Sequence, residues 1–185
     1  NNSVLIVPPD YAAEQVFRGR SKDIVNYLNA GGILLVMEQH NPMTALPGGL
    51  SLFKHHSSFV DMAYKGHPVF KGLSWKQFET WNNADGGFVA ESYISPFDWK
   101  SCIGSKGPML SSPHAFGSTI LEATYGRGRV FINTMQVLRC YQTDSAAAAY
   151  WENLLHYILE SKSLVSDIGV LAGGATAQKL KPEYA

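Results

Sequence analysis

The sequence has few of the features that let a function be read at once. Its 185 residues hold two cysteines, Cys102 and Cys140, and their separation matches no metal-binding spacing. They stand as two free thiols or one disulfide, which leaves the redox compartment open. No charge of either sign is in excess, since 15 Lys and Arg balance 15 Asp and Glu. That balance argues against a general nucleic-acid binder, which shows a basic face. No apolar run approaches the ~20 residues of a membrane span. There is no internal repeat and no signal-peptide pattern. The first residue is Asn1 rather than methionine, which fits a mature form or a piece of something larger. Above all, no stretch carries a complete catalytic signature.

What is present suits one globular domain with an ample core: 45% of the residues are hydrophobic and 16% charged. Val4-Leu5-Ile6-Val7 is a continuous apolar run closed by Pro8-Pro9-Asp10. Such a run reads as a strand buried on both faces, as in parallel sheets. Asp10 is placed to cap the helix that follows, in which Val16, Phe17, Ile24, Val25 and Leu28 recur at helical spacing. Gly19 weakens the middle of that helix and Ser21 can cap a restart, so a kink is expected there. Ala30-Gly31-Gly32 ends it, and Ile33 to Met37 gives a second buried strand. Strand, helix and strand together predict a right-handed parallel crossover.

After Glu38 the pattern is lost. Gln39 to Ser57 holds Pro42, Pro47, Gly48, Gly49 and the histidines His40, His55 and His56, and reads as a long loop. It leaves the C-terminal edge of a parallel strand, where open α/β sheets place ligands. Short strands are expected at Ser58–Tyr64, Phe88–Ile94, Trp99–Gly104 and Pro108–Ser112. Thr119–Tyr125 and Arg129–Thr134 flank Gly126-Arg127-Gly128, a strong hairpin signal and no phosphate loop, since no helix follows the glycines. Asp144 or Thr143 caps a last helix, Ser145 to Leu159, with Ala147, Trp151, Leu154, Leu155 and Ile158 on one side. Beyond it the residues become small.

Three segments in this order resemble the class I glutamine-amidotransferase-like fold. They are Val4–Met37 with Gly31-Gly32 before its second strand, Gly66-His67-Pro68-Val69-Phe70-Lys71-Gly72-Leu73, and Tyr125-Gly126-Arg127-Gly128-Arg129-Val130-Phe131 followed by Tyr150–Ile158. The likeness is to the non-catalytic branch, found as accessory domains of β-galactosidases and other glycoside hydrolases. It implies a flavodoxin-like α/β domain over residues 1–161, with a mainly parallel sheet, helices on both faces and a C-terminal antiparallel hairpin. Residues 162–185 are then a tail or linker. The resemblance also implies a role in organising assembly or shaping a neighbouring active site. A periplasmic or secreted location is compatible with it. The alternatives are a divergent amidotransferase-like hydrolase and a stand-alone sugar-binding module.

The residues able to carry chemistry are thiols, histidines and acids. A working amidotransferase needs a cysteine on a sharp turn between strand and helix, with a histidine oriented by a carboxylate. After Met37 the sequence offers Glu38-Gln39-His40 and no cysteine. Arg139 beside Cys140 could lower that thiol's pKa, but a partly buried structural thiol is the plainer reading for Cys102 and Cys140 alike. His40, His55 and His56, with Glu38 and Asp61, can be imagined as metal ligands, but no tight spacing supports it and loop histidines are the plainer reading. Asp85, Glu91 and Asp98 lie amid Trp81, Phe88, Tyr93, Phe97 and Trp99. Acids beside aromatics suit glycosidase or sugar-binding chemistry, with core aromatics and solvated acids as the plainer alternative. The expectation is therefore no catalytic group, no metal and no cofactor. Gln39–Ser57 and Trp81–Trp99 should meet as one ligand or interface surface built from His40, His55, His56, Trp81, Asn82, Asn83, Asp85 and Trp99. Its partner would be a neighbouring catalytic domain or an identical subunit, with an oligosaccharide as a further candidate. Neither nucleic acid nor membrane is expected.

Overall fold

The computed structural model describes residues 3–9, 13–98, 100–106 and 117–160. Asp10, the Pro108–Ser112 segment, Trp99 and the 162–185 tail lie outside them. The opening unit is β1 (Val4–Val7), α1 (Ala13–Asn29) and β2 (Ile33–Val36), with the two strands parallel. The helix departs from helical geometry at Arg20 (φ −117°, ψ 17°), next to Gly19. It ends in a Schellman arrangement, in which Gly31 N–H donates to Leu28 O and Gly32 N–H to Tyr27 O. Gly31 has φ +98°, a conformation that glycine adopts without steric cost.

Beyond β2 the expected architecture is overturned. The sheet is not a mainly parallel, flavodoxin-like one. It is a mixed, curled half-barrel of seven strands in the order β1-β2-β7-β6-β4-β3, with β5 beside β6. Here β3 is Ser51–Ser57, β4 Ala90–Ser95, β5 Cys102–Lys106, β6 Gly117–Tyr125 and β7 Gly128–Asn133. Only β1 with β2 and β2 with β7 pair in parallel. The β3–β4, β4–β6, β5–β6 and β6–β7 ladders are antiparallel. The reason lies in the connections. A parallel return needs a crossover of a dozen or more residues, usually a helix. Between β2 and β6 the described residues offer only short 3-10 turns, at Pro47–Gly49, Pro68–Phe70, Trp75–Phe78 and Asp85–Gly87.

The curl starts where β7 runs out. Ser118 of β6 pairs with Ile94 of β4, and Glu91 N–H donates to Thr134 O just past β7. On the far side Asp61 and Ser105 exchange backbone hydrogen bonds (2.8 and 2.9 Å), so the chain leaving β3 covers the edge of β5. Ser58–Tyr64, expected as a strand, supplies only that bridge. The last third of the expected Gln39–Ser57 loop is strand β3. β1, expected to be buried on both faces, is an edge strand with Leu5 41% and Ile6 47% exposed.

Two apolar layers flank the sheet. Phe17, Ile24 and Leu28 of α1 pack on Leu34, Val36, Leu121, Val130 and Ile132. The described residues hold two more helices, α2 (Val137–Cys140) and α3 (Ser145–Glu160). Tyr150, Leu154, Tyr157 and Ile158 of α3 pack on the other face with Leu35, Ile120 and Phe131. Asp144 caps α3, its Oδ1 accepting from Ala146 and Ala147 N–H.

Candidate functional site

The structure contains two carboxylate clusters with opposite character. The first is sealed in the core. Glu122 Oε2 accepts from Tyr157 Oη (2.8 Å) and lies 3.3 Å from His67 Nε2. Its Oε1 is 3.4 Å from Arg129 Nη1, and a second Arg129 nitrogen donates to Ile158 O. His67 Nδ1 accepts from Val69 N–H, so Nε2 is the nitrogen left to donate to Glu122. Glu122 and His67 are buried completely. The Gly66–Leu73 turn is thus pinned to β6 and α3 by its histidine, a role that the sequence did not reveal. This cluster fastens strand to helix and opens on no ligand.

The second cluster is built where β2, β3 and β4 converge. Gln39 extends β2, and its side-chain amide donates to Pro8 O (2.8 Å) and Met37 O (3.1 Å), tying together the exits of β1 and β2. Ser92 Oγ donates to Gln39 O, which sets the next residue, His40, over β4. In β3 the register shifts between Lys54 and Ser57, a bulge that frees His55 and His56 from the ladder. Bulges re-aim side chains and recur beside functional sites. His56 Nε2 comes to 3.2 Å and His40 Nδ1 to 3.6 Å from the same oxygen, Glu91 Oε2. Glu91 Oε1 accepts from Gln136 Nε2 at 2.7 Å. The Glu91 side chain is 4% exposed, while those of His40 and His56 are 41% and 36% exposed. A buried carboxylate is thus held from behind by an amide and presented to solvent through two imidazoles.

An aromatic flank continues this face. The Phe53 and Tyr93 rings stack across β3 and β4 at 5.5 Å, and His55 meets Tyr93 edge-on at 6.0 Å. Lys106 Nζ lies 4.5 Å from the centre of the Tyr93 ring. Burial, then Lys106 and then His56 push the His55 pKa below its ordinary value, so its imidazole is mainly neutral at pH 7. Burial also lowers the Lys106 pKa.

The two segments expected to meet do so at Glu91, which links His40 and His56 of one to β4 of the other. The expected residues divide. His40, His55 and His56 are gathered on this face. Trp81 is in the core, 4% exposed, packed on Phe78 and Tyr150, with its indole N–H donating to Gln77 O. Asn82, Asn83 and Asp85 stay exposed but stitch their loop to the α2–α3 junction. Asn82 N–H donates to Asp144, the Asn83 amide to Arg139 O, and Asp85 N–H to Gln136 Oε1. Through Gln136 that loop braces Glu91 without joining its face. Phe53 and Gln136 escaped the sequence reading, in which Tyr93 stood only as one of the aromatics around the acids. The one usable signal was the His55-His56 pair, since two consecutive polar side chains break the alternation of a half-buried strand.

Among the described residues no three His, Cys, Asp or Glu side chains converge on a metal position. Asp61, one imagined ligand, is held by its backbone at the edge of β5. Both cysteines are buried free thiols. Burial, with smaller contributions from Asp98 and Asp61, pushes Cys102 up to about 12. Burial, Asp144 and Glu38 push Cys140 up to about 11, and Arg139 only partly offsets them. A thiol in such surroundings is inert as a nucleophile.

Searches found no matching family model and no matching curated protein. Among solved structures, the chain is similar to the β-galactosidase from Rahnella sp. R3, with a TM-score of 0.47 and 14% sequence identity. The match covers 86% of this chain and 23% of that one, so the chain spans under a quarter of the length of the protein it resembles.

Proposed function

We propose that the chain is a non-catalytic accessory domain of a carbohydrate-active enzyme, lending a binding face to a neighbouring catalytic part or an identical subunit. The observation that carries the non-catalytic half is the state of the two thiols. They are the soft nucleophiles an amidotransferase-like hydrolase would need, and both are buried with pKa values of about 12 and about 11. The position after β2 supports it too. There Gln39 is spent on joining strand ends, and Glu38 is buried. The order of the three sequence segments supports the carbohydrate-active half.

The test is turnover by the purified chain with glutamine and a panel of nitrophenyl glycosides. The expected result is release no faster than in buffer. Saturable turnover that disappears in Cys102→Ala, Cys140→Ala or Glu91→Gln would contradict the proposal.

A further inference from the structure

We propose that the β3–β4 face is a subsite for a neutral saccharide, with Phe53 beneath the sugar ring, His55 and His56 at its hydroxyls, and Glu91 holding His56 from behind. This rests on the carbohydrate-active reading above and adds the place and class of the ligand. A hexopyranose has one face of C–H groups and a rim of hydroxyls that both donate and accept. A matching site needs one exposed aromatic face with polar groups of both kinds beside it.

The β3–β4 face supplies each part. Tyr93 has Phe53 against its ring and the Lys106 ammonium at 4.5 Å from its centre, so the ring left to solvent is Phe53, 39% exposed. His55 follows two residues along the strand, ~7 Å on, about the span of one sugar ring with its hydroxyls. Held mainly neutral by burial, Lys106 and His56, its imidazole offers one donor and one acceptor. Beyond it, His56 continues the polar row, held by the buried Glu91, which Gln136 fixes in turn. The Glu91 carboxylate behind the imidazoles and the Lys106 ammonium beside Tyr93 balance in charge on this face, which suits a neutral sugar. The bulge at His55-His56 gives up ladder bonds that the sheet alone would keep.

The experiment follows the imidazole resonances of the chain during titration with lactose, cellotriose, maltotriose and mannotriose up to millimolar concentrations. At least one should give saturable shifts at His55 and His56. Phe53→Ala should weaken that binding at least ~10-fold, which is ~1.4 kcal/mol, and Phe53→Trp should retain it. Phe53→Leu, which keeps bulk but loses the ring, should behave like the alanine variant. Trp75→Ala, an exposed tryptophan on another turn, should change nothing. The subsite is overturned if none of the four binds, if binding survives both Phe53→Ala and Phe53→Leu, or if Trp75→Ala removes it. Hydrolysis of a saccharide whose binding Phe53→Ala weakens would support the subsite and end the non-catalytic reading. Absence of both binding and turnover would end the subsite and leave that reading standing.

Discussion

Replacing Glu122 with leucine is the sharpest perturbation of the fold. Glu122 has no exposure, and its carboxylate serves Tyr157 Oη, His67 Nε2 and the Arg129 guanidinium. Leucine has similar bulk, so the void it leaves is small. What it removes is the counter-charge of Arg129, which is itself buried, and the acceptor of two buried donors. Breaking a buried ion pair from one side costs about 3–5 kcal/mol, because the remaining charge stays desolvated. The lost hydrogen bonds overlap with that term and do not simply add to it. With urea m-values of ~1–3 kcal/mol per molar, the denaturation midpoint should fall by roughly 1–5 M with the slope unchanged. Circular dichroism against urea measures both. The double variant Glu122→Leu/Arg129→Met removes the stranded charge and should recover half of the loss or more. A single-variant loss below ~1 kcal/mol, or a double variant no better than the single, would refute the reasoning.

Three further outcomes follow from named contacts. Leu154→Ala should cost about 2–5 kcal/mol, since Leu154 is fully buried against the sheet, whereas His156→Ala on the exposed side of α3 should stay within about 0.5 kcal/mol of neutral; equal urea midpoints would refute the packing of α3. Cys102 and Cys140 should react with a thiol reagent at mildly alkaline pH only at the rate of unfolding, and immediate labelling of the native protein would contradict their burial. Burial raises the Glu14 pKa, but hydrogen bonds from Thr44 and Ala45, with Arg18 beside it, outweigh burial and hold it below its ordinary value. Its contribution is therefore complete above the unfolded carboxyl's pKa and lost as pH falls through the folded one. Glu14→Gln should be less stable than wild type at pH 7 by up to about 1 kcal/mol, with the gap closing in acid; a constant gap at all pH values would count against this.

Local elements were legible in the sequence, and long-range pairing was not. β1, α1 and β2 announce themselves through apolar runs and the Gly31-Gly32 stop. The β6–β7 hairpin does so through its glycine turn, and α3 through Leu154 and Ile158. The sheet order was hidden because Ser118 meeting Ile94, or Asp61 meeting Ser105, leaves no periodic trace. A better clue was available, because the lack of a helical pattern between Glu38 and Thr134 disfavours parallel pairing between successive strands in that stretch. β3 was missed because Lys54, His55 and His56 interrupt the alternation expected of a strand, and the bulge is the cause. Trp81 reads as a surface aromatic beside Asn82 and Asn83, yet the gap between Phe78 and Tyr150 draws its ring inward. Glu91 was one acid among three until β3 and β2 brought imidazoles to it.

The central claim is that one carboxylate cluster serves the fold and the other serves a ligand, and paired stability measurements on their histidines test it most directly. His67→Ala removes a fully buried ring that packs at 4.5 Å from Tyr157 and bonds both Val69 and Glu122. It should cost about 3 kcal/mol or more. The double variant His40→Ala/His56→Ala removes two rings that are more than a third exposed, and leaves Glu91 its bond from Gln136. Its loss should stay within about 1 kcal/mol. Equal losses, or a larger loss from the His40/His56 pair, would show that the Glu91 cluster is part of the framework and not a surface kept for binding.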